Sequence, residues 1–254
     1  MSKWKRALLG LGITVIVGVY GWLFGFQTLV AAEMRYKCRN LPVVSKTPIA
    51  LVDLSISSVP HKNVTYFGYE FELPWDDVDE SKDKTKEPIH VSAFRSGNAF
   101  WFSTFPPKSL VDGIMKTANL DPEEFRQIYG DAALESDYAF HKMMLQMTPS
   151  ELSPFASRRR AGAGASLLLI KALSMPNAES GIFSIQTSNF QGFQFESPQN
   201  RPLRISVEIY SNDGGLDIMF LQKAGGSAPS ISQAEVNRVV QSIHRVSAQT
   251  VVSN

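Results

Sequence analysis

Cysteine and net charge are the two features of which this sequence has least. Cys38 is the only cysteine among 254 residues, and a single thiol excludes both an internal disulfide and a thiolate metal site. Twenty-five basic residues stand against 24 acidic ones, so the chain lacks the positive excess typical of nucleic-acid-binding proteins. We therefore expect no nucleic-acid partner.

Motifs for catalysis and cofactor binding are also missing. The sequence contains no P-loop, no GxGxxG fingerprint and no GxSxG elbow, and its histidines lack the spacing of metal ligands: His61, His90, His141 and His244. We therefore assign no catalytic, cofactor-binding or metal-binding residue and expect no cofactor. An enzyme stays open as an alternative, namely a membrane-tethered hydrolase whose serine, histidine and carboxylate meet only on folding.

A long uncharged run lies near the N-terminus. Residues 7–26 (ALLGLGITVIVGVYGWLFGF) contain no charged side chain and follow a short basic tail, residues 1–6. At a helical rise of ~1.5 Å per residue, such a run spans roughly 30 Å, the thickness of a bilayer's hydrocarbon core. We predict that residues 7–32 form a transmembrane anchor that contacts membrane lipid.

An export signal is the alternative to an anchor. Signal peptides have an apolar core of ~7–15 residues, which is shorter than this run. The small residues before Glu33 would nevertheless allow cleavage after Ala32. The length of the run favours an uncleaved anchor, and a secreted protein with a cleaved signal remains the second hypothesis.

Basic residues flank the run on both sides, which makes the direction of insertion a close decision. One basic cluster lies within residues 3–6 and the other within residues 35–39. The positive-inside bias counts both clusters, and the N-terminal amine adds to the first. We expect a cytoplasmic N-terminus, with residues 33–254 outside the cell membrane in the bacterial periplasm or its equivalent.

The rest of the chain predicts one α+β domain. A linker over residues 33–47 leads into a domain over residues 48–246, and a tail follows at residues 247–254. The β-branched residues of 49–59 favour a strand, and YFGYEFELP (66–74) alternates aromatic residues with polar ones. We expect an antiparallel sheet with packed helices.

A short internal similarity points to a possible duplication. GYEFELP at 68–74 reappears as GFQFESP at 192–198, and each copy precedes a predicted hairpin and then a helix. The two ββα units would cover residues 63–118 and 182–246, and chance resemblance is the competing explanation. The second helix has capping-box spacing at Ser232 and Glu235.

The segment between these units, residues 119–181, is predicted to be a helical insert. Asp121-Pro122-Glu123-Glu124 predicts a capped helix that Gly130 ends. Residues 131–147 predict a continuous second helix. Thr148-Pro149-Ser150-Glu151 repeats the cap pattern, so a third helix is expected to start there and to carry Arg158–Arg160 at its C-terminal end.

Arg158, Arg159 and Arg160 are the only candidate site residues. They precede the apolar stretch ASLLLI, and two hypotheses account for the pattern. The arginines could contact anionic lipid or another anion beside the anchor, as an interfacial amphipathic helix does. Alternatively, a buried helix packs on the sheet and leaves the arginines in solvent.

Two segments resemble a known fold group. GYEFELPW (68–75) and ISQAEVNRVVQSI (231–243), in this order of elements, resemble the Mog1/PsbP-like α/β/α sandwich. Members of that group do unrelated jobs, mostly in binding or assembly, so the resemblance implies a fold and assigns no function. The long helical insert and the second copy, GFQFESP, depart from that group. The anchor, the balanced charge and the missing catalytic motifs carry the functional expectation. We expect a single-pass membrane-anchored binding or assembly module with an envelope protein as partner.

Overall fold

The computed structural model describes residues 3–38, 47–51, 54–59, 62–174, 181–198, 204–223 and 231–246. The chain divides into two compact units. The first unit comprises Met1–Lys46, Ile114–Glu135 and Ala139–Ala178. The second comprises Thr47–Gly113, Ser136–Tyr138 and Glu179–Asn254. Most of the predicted insert, residues 119–181, therefore belongs to the same unit as the N-terminal helix.

The fold is α+β with an N-terminal apolar helix, as predicted. The described residues form seven helices and a short 3-10 turn: α1 Lys3–Cys38, α2 Ser109–Ala118, α3 Pro122–Tyr129, α4 Asp131–Glu135, α5 Asp137–Gln146, the turn Pro149–Glu151, α6 Arg158–Ser174 and α7 Gln233–Ser242. They also form eleven strands: β1 Ile49–Ala50, β2 Lys62–Tyr66, β3 Tyr69–Leu73, β4 Lys84–Lys86, β5 Ile89–Ala93, β6 Ala99–Phe105, β7 Ile182–Gln186, β8 Gln191–Phe195, β9 Arg204–Ser211, β10 Gly214–Leu221 and β11 His244–Arg245.

Two sheets make up most of the second unit. The larger has the order β1-β7-β8-β9-β10-β6-β5-β4, and the smaller has the order β11-β3-β2. All neighbours are antiparallel except β1, which pairs with β7 in parallel. The larger sheet is therefore mixed only because of the two-residue strand β1 at its edge.

Alternating side chains build the core of the second unit. Tyr69, Phe71 and Leu73 of β3 are buried while the residues between them are half-buried, which confirms the predicted aromatic face. The strand begins only at Tyr69, because Phe67 and Gly68 adopt φ angles of 50° and 80° in the turn from β2. The same core contains inward residues of β9 and β10 and the apolar face of α7.

The capping signal at the C-terminal helix is confirmed. The Ser232 side chain accepts the Glu235 amide, and the Glu235 carboxylate accepts the Ser232 amide. Helix α7 ends at Ser242, earlier than the predicted 246, because the next residues turn to pair β11 with β3.

The structure does not confirm the duplication. The first copy supplies β3 of the smaller sheet, whereas the second supplies β8 of the larger sheet. The predicted hairpins after each copy do form, as β5–β6 and β9–β10. Equivalent sequence segments nevertheless occupy different sheets, so the similarity of GYEFELP and GFQFESP is not matched by equivalent pairing.

The predicted strand over residues 49–59 is wrong beyond Ala50. Residues 54–59 contain no strand, and residues 52–53 lie outside the described part of the chain. The backbone of this segment forms hydrogen bonds with helix α7 instead. The Ser57 amide donates to the Ala234 carbonyl at 3.1 Å, and the Arg238 guanidinium donates to the Ser57 carbonyl at 2.7 Å.

The insert begins as predicted and then departs from the prediction. Asp121 and Glu124 form a capping box on α3, and Gly130 ends that helix with a φ of 90°. The single helix expected over 131–147 is divided at Ser136 into α4 and α5. The residues at the break, 136–138, belong to the second unit, where the Asp137 carboxylate accepts the Val111 amide at 3.0 Å.

The helix expected after Thr148 is only a 3-10 turn, and this corrects the placement of the arginines. Arg158–Arg160 form the N-terminal turn of α6 rather than the C-terminal end of a preceding helix. Pro154 disfavours helical backbone at the residue before it. The Ser157 hydroxyl accepts the Arg160 amide at 3.2 Å, so Ser157 caps the new helix.

Candidate functional site

Helix α1 presents a continuous apolar surface. Every side chain from Ile13 to Leu23 is exposed, and Trp22 reaches 81 % exposure. An 18-residue stretch within Ile13–Lys37 has a mean hydropathy of 1.7, and this part of the helix is long and apolar enough to cross a membrane. Because an N-terminal signal sequence meets the same criterion, this surface alone does not separate an anchor from a signal.

The later part of α1 is packed into the first unit. Ala31 and Met34 are 3 % and 5 % exposed, and they share one apolar cluster with Leu152 and with Leu168 of α6. Gln27 is 4 % exposed and separates the continuously exposed stretch Ile13–Leu23 from this packed part. Within the described side chains, α1 therefore has a mainly exposed apolar part and a later part that buries one face in the first unit.

Aromatic rings gather where the exposed part of α1 ends. The Phe155 ring lies edge-on to Tyr20 and Phe24, with centroids 6.2 Å and 5.6 Å apart. Phe155 is still 66 % exposed, although it precedes a packed helix. Rings at this level resemble the aromatic belts of membrane interfaces. Sequence analysis missed Phe155, because an isolated aromatic residue in a loop gives no pattern.

The first of the three predicted contact residues lies over another ring of α1, Phe26. Arg158, Arg159 and Arg160 are exposed at the start of α6, and the Arg158 guanidinium carbon lies 6.0 Å from the Phe26 ring centroid. Arg159 pairs with Glu124 of α3. Within the first unit α6 packs on α1, so the arginine triplet adjoins the last residue of the apolar run.

A small cavity opens in the first unit behind these arginines. Its volume is about 210 Å³, and its lining includes Arg160, Glu151, Tyr129 and the two thioethers of Met143 and Met147. Burial raises the pKa of Tyr129 to about 12, so this phenol stays neutral at physiological pH. The cavity is smaller than the ~300–1,000 Å³ usual for small-molecule sites.

A larger cavity in the second unit lies between helix α7 and strand β7, the neighbour of the edge strand β1. Its volume is about 340 Å³, which is within the range of ligand sites. The described residues that line it carry apolar, hydroxyl and amide groups but no ionisable group: Ala50, Leu51, Leu54, Ser184, Ile185, Gln186, Thr187, Asn237, Val240 and Gln241. These side chains are suited to binding by apolar contacts and hydrogen bonds.

The hydrolase alternative depends most on His90, which the fold brings close to a serine and a carboxylate. His90 Nε2 lies 2.9 Å from Ser92 Oγ and 3.9 Å from Asp83 Oδ2, while Nδ1 lies 2.7 Å from Thr85 Oγ1. In a triad the serine and the acid contact opposite ring nitrogens, whereas here both approach Nε2. Ser92 is fully buried, so it has no route to a substrate.

The surroundings of His90 explain its role as a packed polar group. The Tyr66 ring stacks on the imidazole with centroids 3.6 Å apart, and the Tyr66 hydroxyl lies 3.2 Å from Ser92 Oγ. Burial lowers the pKa of His90 below its ordinary value of 6.5, and Asp83 acts in the opposite direction. The cluster thus keeps a neutral histidine inside the sheet, and neither cavity includes it.

A second pair of titratable groups lies on the central strands. Asp217 of β10 is directly opposite Glu208 of β9. Burial and the Glu208 charge raise the pKa of Asp217 to about 6. The Tyr210 hydroxyl donates to Glu208 at 3.0 Å. Paired carboxylates with shifted pKa values occur in active sites, but neither carboxylate lines either cavity.

The described residues contain no group of three or more histidine, cysteine, aspartate or glutamate side chains able to hold a metal ion. His61 lies outside the described residues, so this finding does not include it.

Comparison with protein-family models, with curated proteins and with solved structures found no match. The resemblance to the Mog1/PsbP-like group therefore stays a prediction from two sequence segments.

Proposed function

We propose that this protein is a single-pass membrane-anchored module that binds or helps to assemble an envelope protein. Helix α1 remains attached as the anchor, and the second unit supplies the binding surface. The N-terminus lies in the cytoplasm and residues 33–254 face the periplasm or its equivalent. Chemistry at a catalytic centre is not part of the role.

The observation that carries the proposal is the division of α1 into an exposed and a packed part. A protease that cuts after Ala32 requires an accessible, extended chain, whereas Ala32 lies inside a helix between two buried residues, Ala31 and Met34. Cleavage there would also remove Ala31 from the cluster with Leu168. The fold of the first unit therefore supports an anchor that is kept.

Binding rather than catalysis is supported by the cavity of the second unit. The described residues of its lining carry no ionisable group, and Leu54 at its margin is 65 % exposed. Ile56 and Val59 continue the apolar surface with 54 % and 58 % exposure. A cavity bordered by exposed apolar side chains is typical of surfaces that take up a protein partner.

A photocrosslinking experiment on the full chain in native membranes tests the binding role. A photoreactive residue replaces Gln241 at the cavity or, as the control, exposed Lys86 of β4 at the opposite edge of the large sheet. We expect one protein adduct of defined mass from position 241 only. The added substitution Leu54→Lys should suppress it, whereas Val246→Lys should not.

Identical adducts from both positions, or none from position 241, would contradict the binding role of this cavity. Orientation is tested separately by protease digestion of cells whose outer layers have been opened. Residues 33–254 should be digested without membrane lysis, and full protection would reverse the proposed direction.

A further inference from the structure

We infer that Arg158, Arg159 and Arg160, together with Phe155, form a contact site for the phosphate groups of anionic phospholipids. The site lies in the leaflet where the apolar run of α1 ends. This inference rests on the proposed function, because it requires α1 to span the bilayer.

The first support is the position of the arginines along α1. The uncharged run of residues 7–26 spans roughly 30 Å as a helix, so its last residue lies at the boundary between hydrocarbon and head groups. That residue is Phe26, the ring over which Arg158 is placed. The tertiary structure therefore brings the arginines to head-group level although they follow Phe26 by more than a hundred residues.

The second support is the balance of charge at this surface. Three adjacent arginines occupy the first turn of α6, where the helix dipole opposes positive charge. Glu124 offsets Arg159, and Glu151 shares the small cavity with Arg160. The three arginines and these two glutamates together carry one net positive charge. The guanidinium groups are exposed, as the planar recognition of phosphate oxygens requires.

The third support is the apolar companion of the charges. Phe155 is exposed beside Tyr20 and Phe24 and reaches the same level as the arginines. Aromatic side chains at this depth insert among the upper acyl chains while basic groups contact the phosphates. A free phosphate ion would use the arginines but would gain nothing from Phe155, which favours lipid as the ligand.

The test measures how strongly the protein prefers spin-labelled phosphatidylglycerol over spin-labelled phosphatidylcholine, using the full chain in phosphatidylcholine vesicles. The double substitution R158Q/R160Q removes two arginines and leaves the Arg159–Glu124 pair in place. Since each basic residue near an anionic surface contributes about a factor of five, the preference should fall by up to about 25-fold. The matched control Lys142→Gln, an exposed lysine of α5, should leave it unchanged, and R158K/R160K should retain most of it.

An unchanged preference in R158Q/R160Q would overturn the inference, as would its loss in wild-type protein on addition of inorganic phosphate. Phe155→Ala should weaken the association of both labelled lipids to the same extent, because their acyl chains are alike, and should not alter any effect of inorganic phosphate. Carbonate extraction of the same samples separates the two proposals. Protein that stays in the membrane without lipid preference refutes only the lipid site, whereas protein released by carbonate refutes the anchor and the site together.

Discussion

Replacing Lys171 by methionine should loosen the helices that hold α1. Lys171 has no exposed surface, and its ammonium donates to the carbonyls of Leu145 and Met147 at 2.6 Å and 2.7 Å. These carbonyls end α5, where the last turn of a helix has no partner of its own. Lys171 therefore caps α5 from within α6.

The size of the effect follows from these two bonds. A hydrogen bond to a charged group contributes roughly 1.5–3 kcal/mol, so two of them contribute about 3–6 kcal/mol. Methionine fills a similar volume and removes the cost of burying a charge, which offsets part of the loss. We expect the free energy of local opening to fall by about 3 kcal/mol, which corresponds to amide exchange faster by roughly a hundredfold.

Hydrogen–deuterium exchange of peptides from α5 and α6, on the full chain in detergent micelles, measures this quantity. Lys142→Met is the matched control, because Lys142 is an exposed lysine of α5 and its loss should leave exchange unchanged. If Lys171→Met exchanges at the wild-type rate, the burial of the ammonium costs as much as its two bonds contribute, and the capping role is refuted.

Three further results are expected from the packing and the polar clusters. Leu168→Ala should lower the stability of the first unit by about 3 kcal/mol in denaturant unfolding, whereas the 43 %-exposed neighbour in Leu169→Ala should cost far less. Ser232→Ala should cost about 1 kcal/mol by removing the α7 cap, and a cost near zero in the same assay would contradict the capping role. The pKa of His90 in the folded protein lies below 6.5, so the unfolded chain binds more protons as the pH falls below 6.5, and the second unit should lose stability in that pH range. His90→Gln should flatten this loss of stability. A pH profile of unfolding that is the same in wild type and variant would contradict the role of His90.

Local signals allowed several elements to be predicted from the sequence. The capping boxes at Asp121 and Ser232 each begin a helix, and the turn residues after β5 and β9 each connect a hairpin. These features depend on neighbours within a few residues, so the sequence contains the information needed to identify them. The alternating burial of β3 belongs to the same class.

The elements that were predicted wrongly depend on contacts between distant segments. The strand expected over 49–59 stops at Ala50 because α7 bonds the backbone at Ser57, from a position more than 170 residues later. The helix expected over 131–147 divides where Asp137 bonds the Val111 amide. The periodicity of the sequence contains no signal for either of these two long-range contacts.

The candidate site shows the same division. The arginine triplet is visible in the sequence, and its link to anionic lipid could be proposed from composition. Its location next to Phe26 could not, because the prediction placed Arg158–Arg160 at the wrong end of a helix. The cap at Ser157, three residues before Arg160, was the local signal for the correct placement.

The mass of the chain that stays in membranes after alkaline carbonate extraction tests the anchor most directly. We expect a membrane-bound protein that retains residues 7–26, because α1, the proposed span, also contributes to the first unit's core. A chain that begins at Glu33 and is released into the soluble fraction would contradict this result. It would show that α1 is a signal and that the packing of Ala31 and Met34 is not kept in the mature protein.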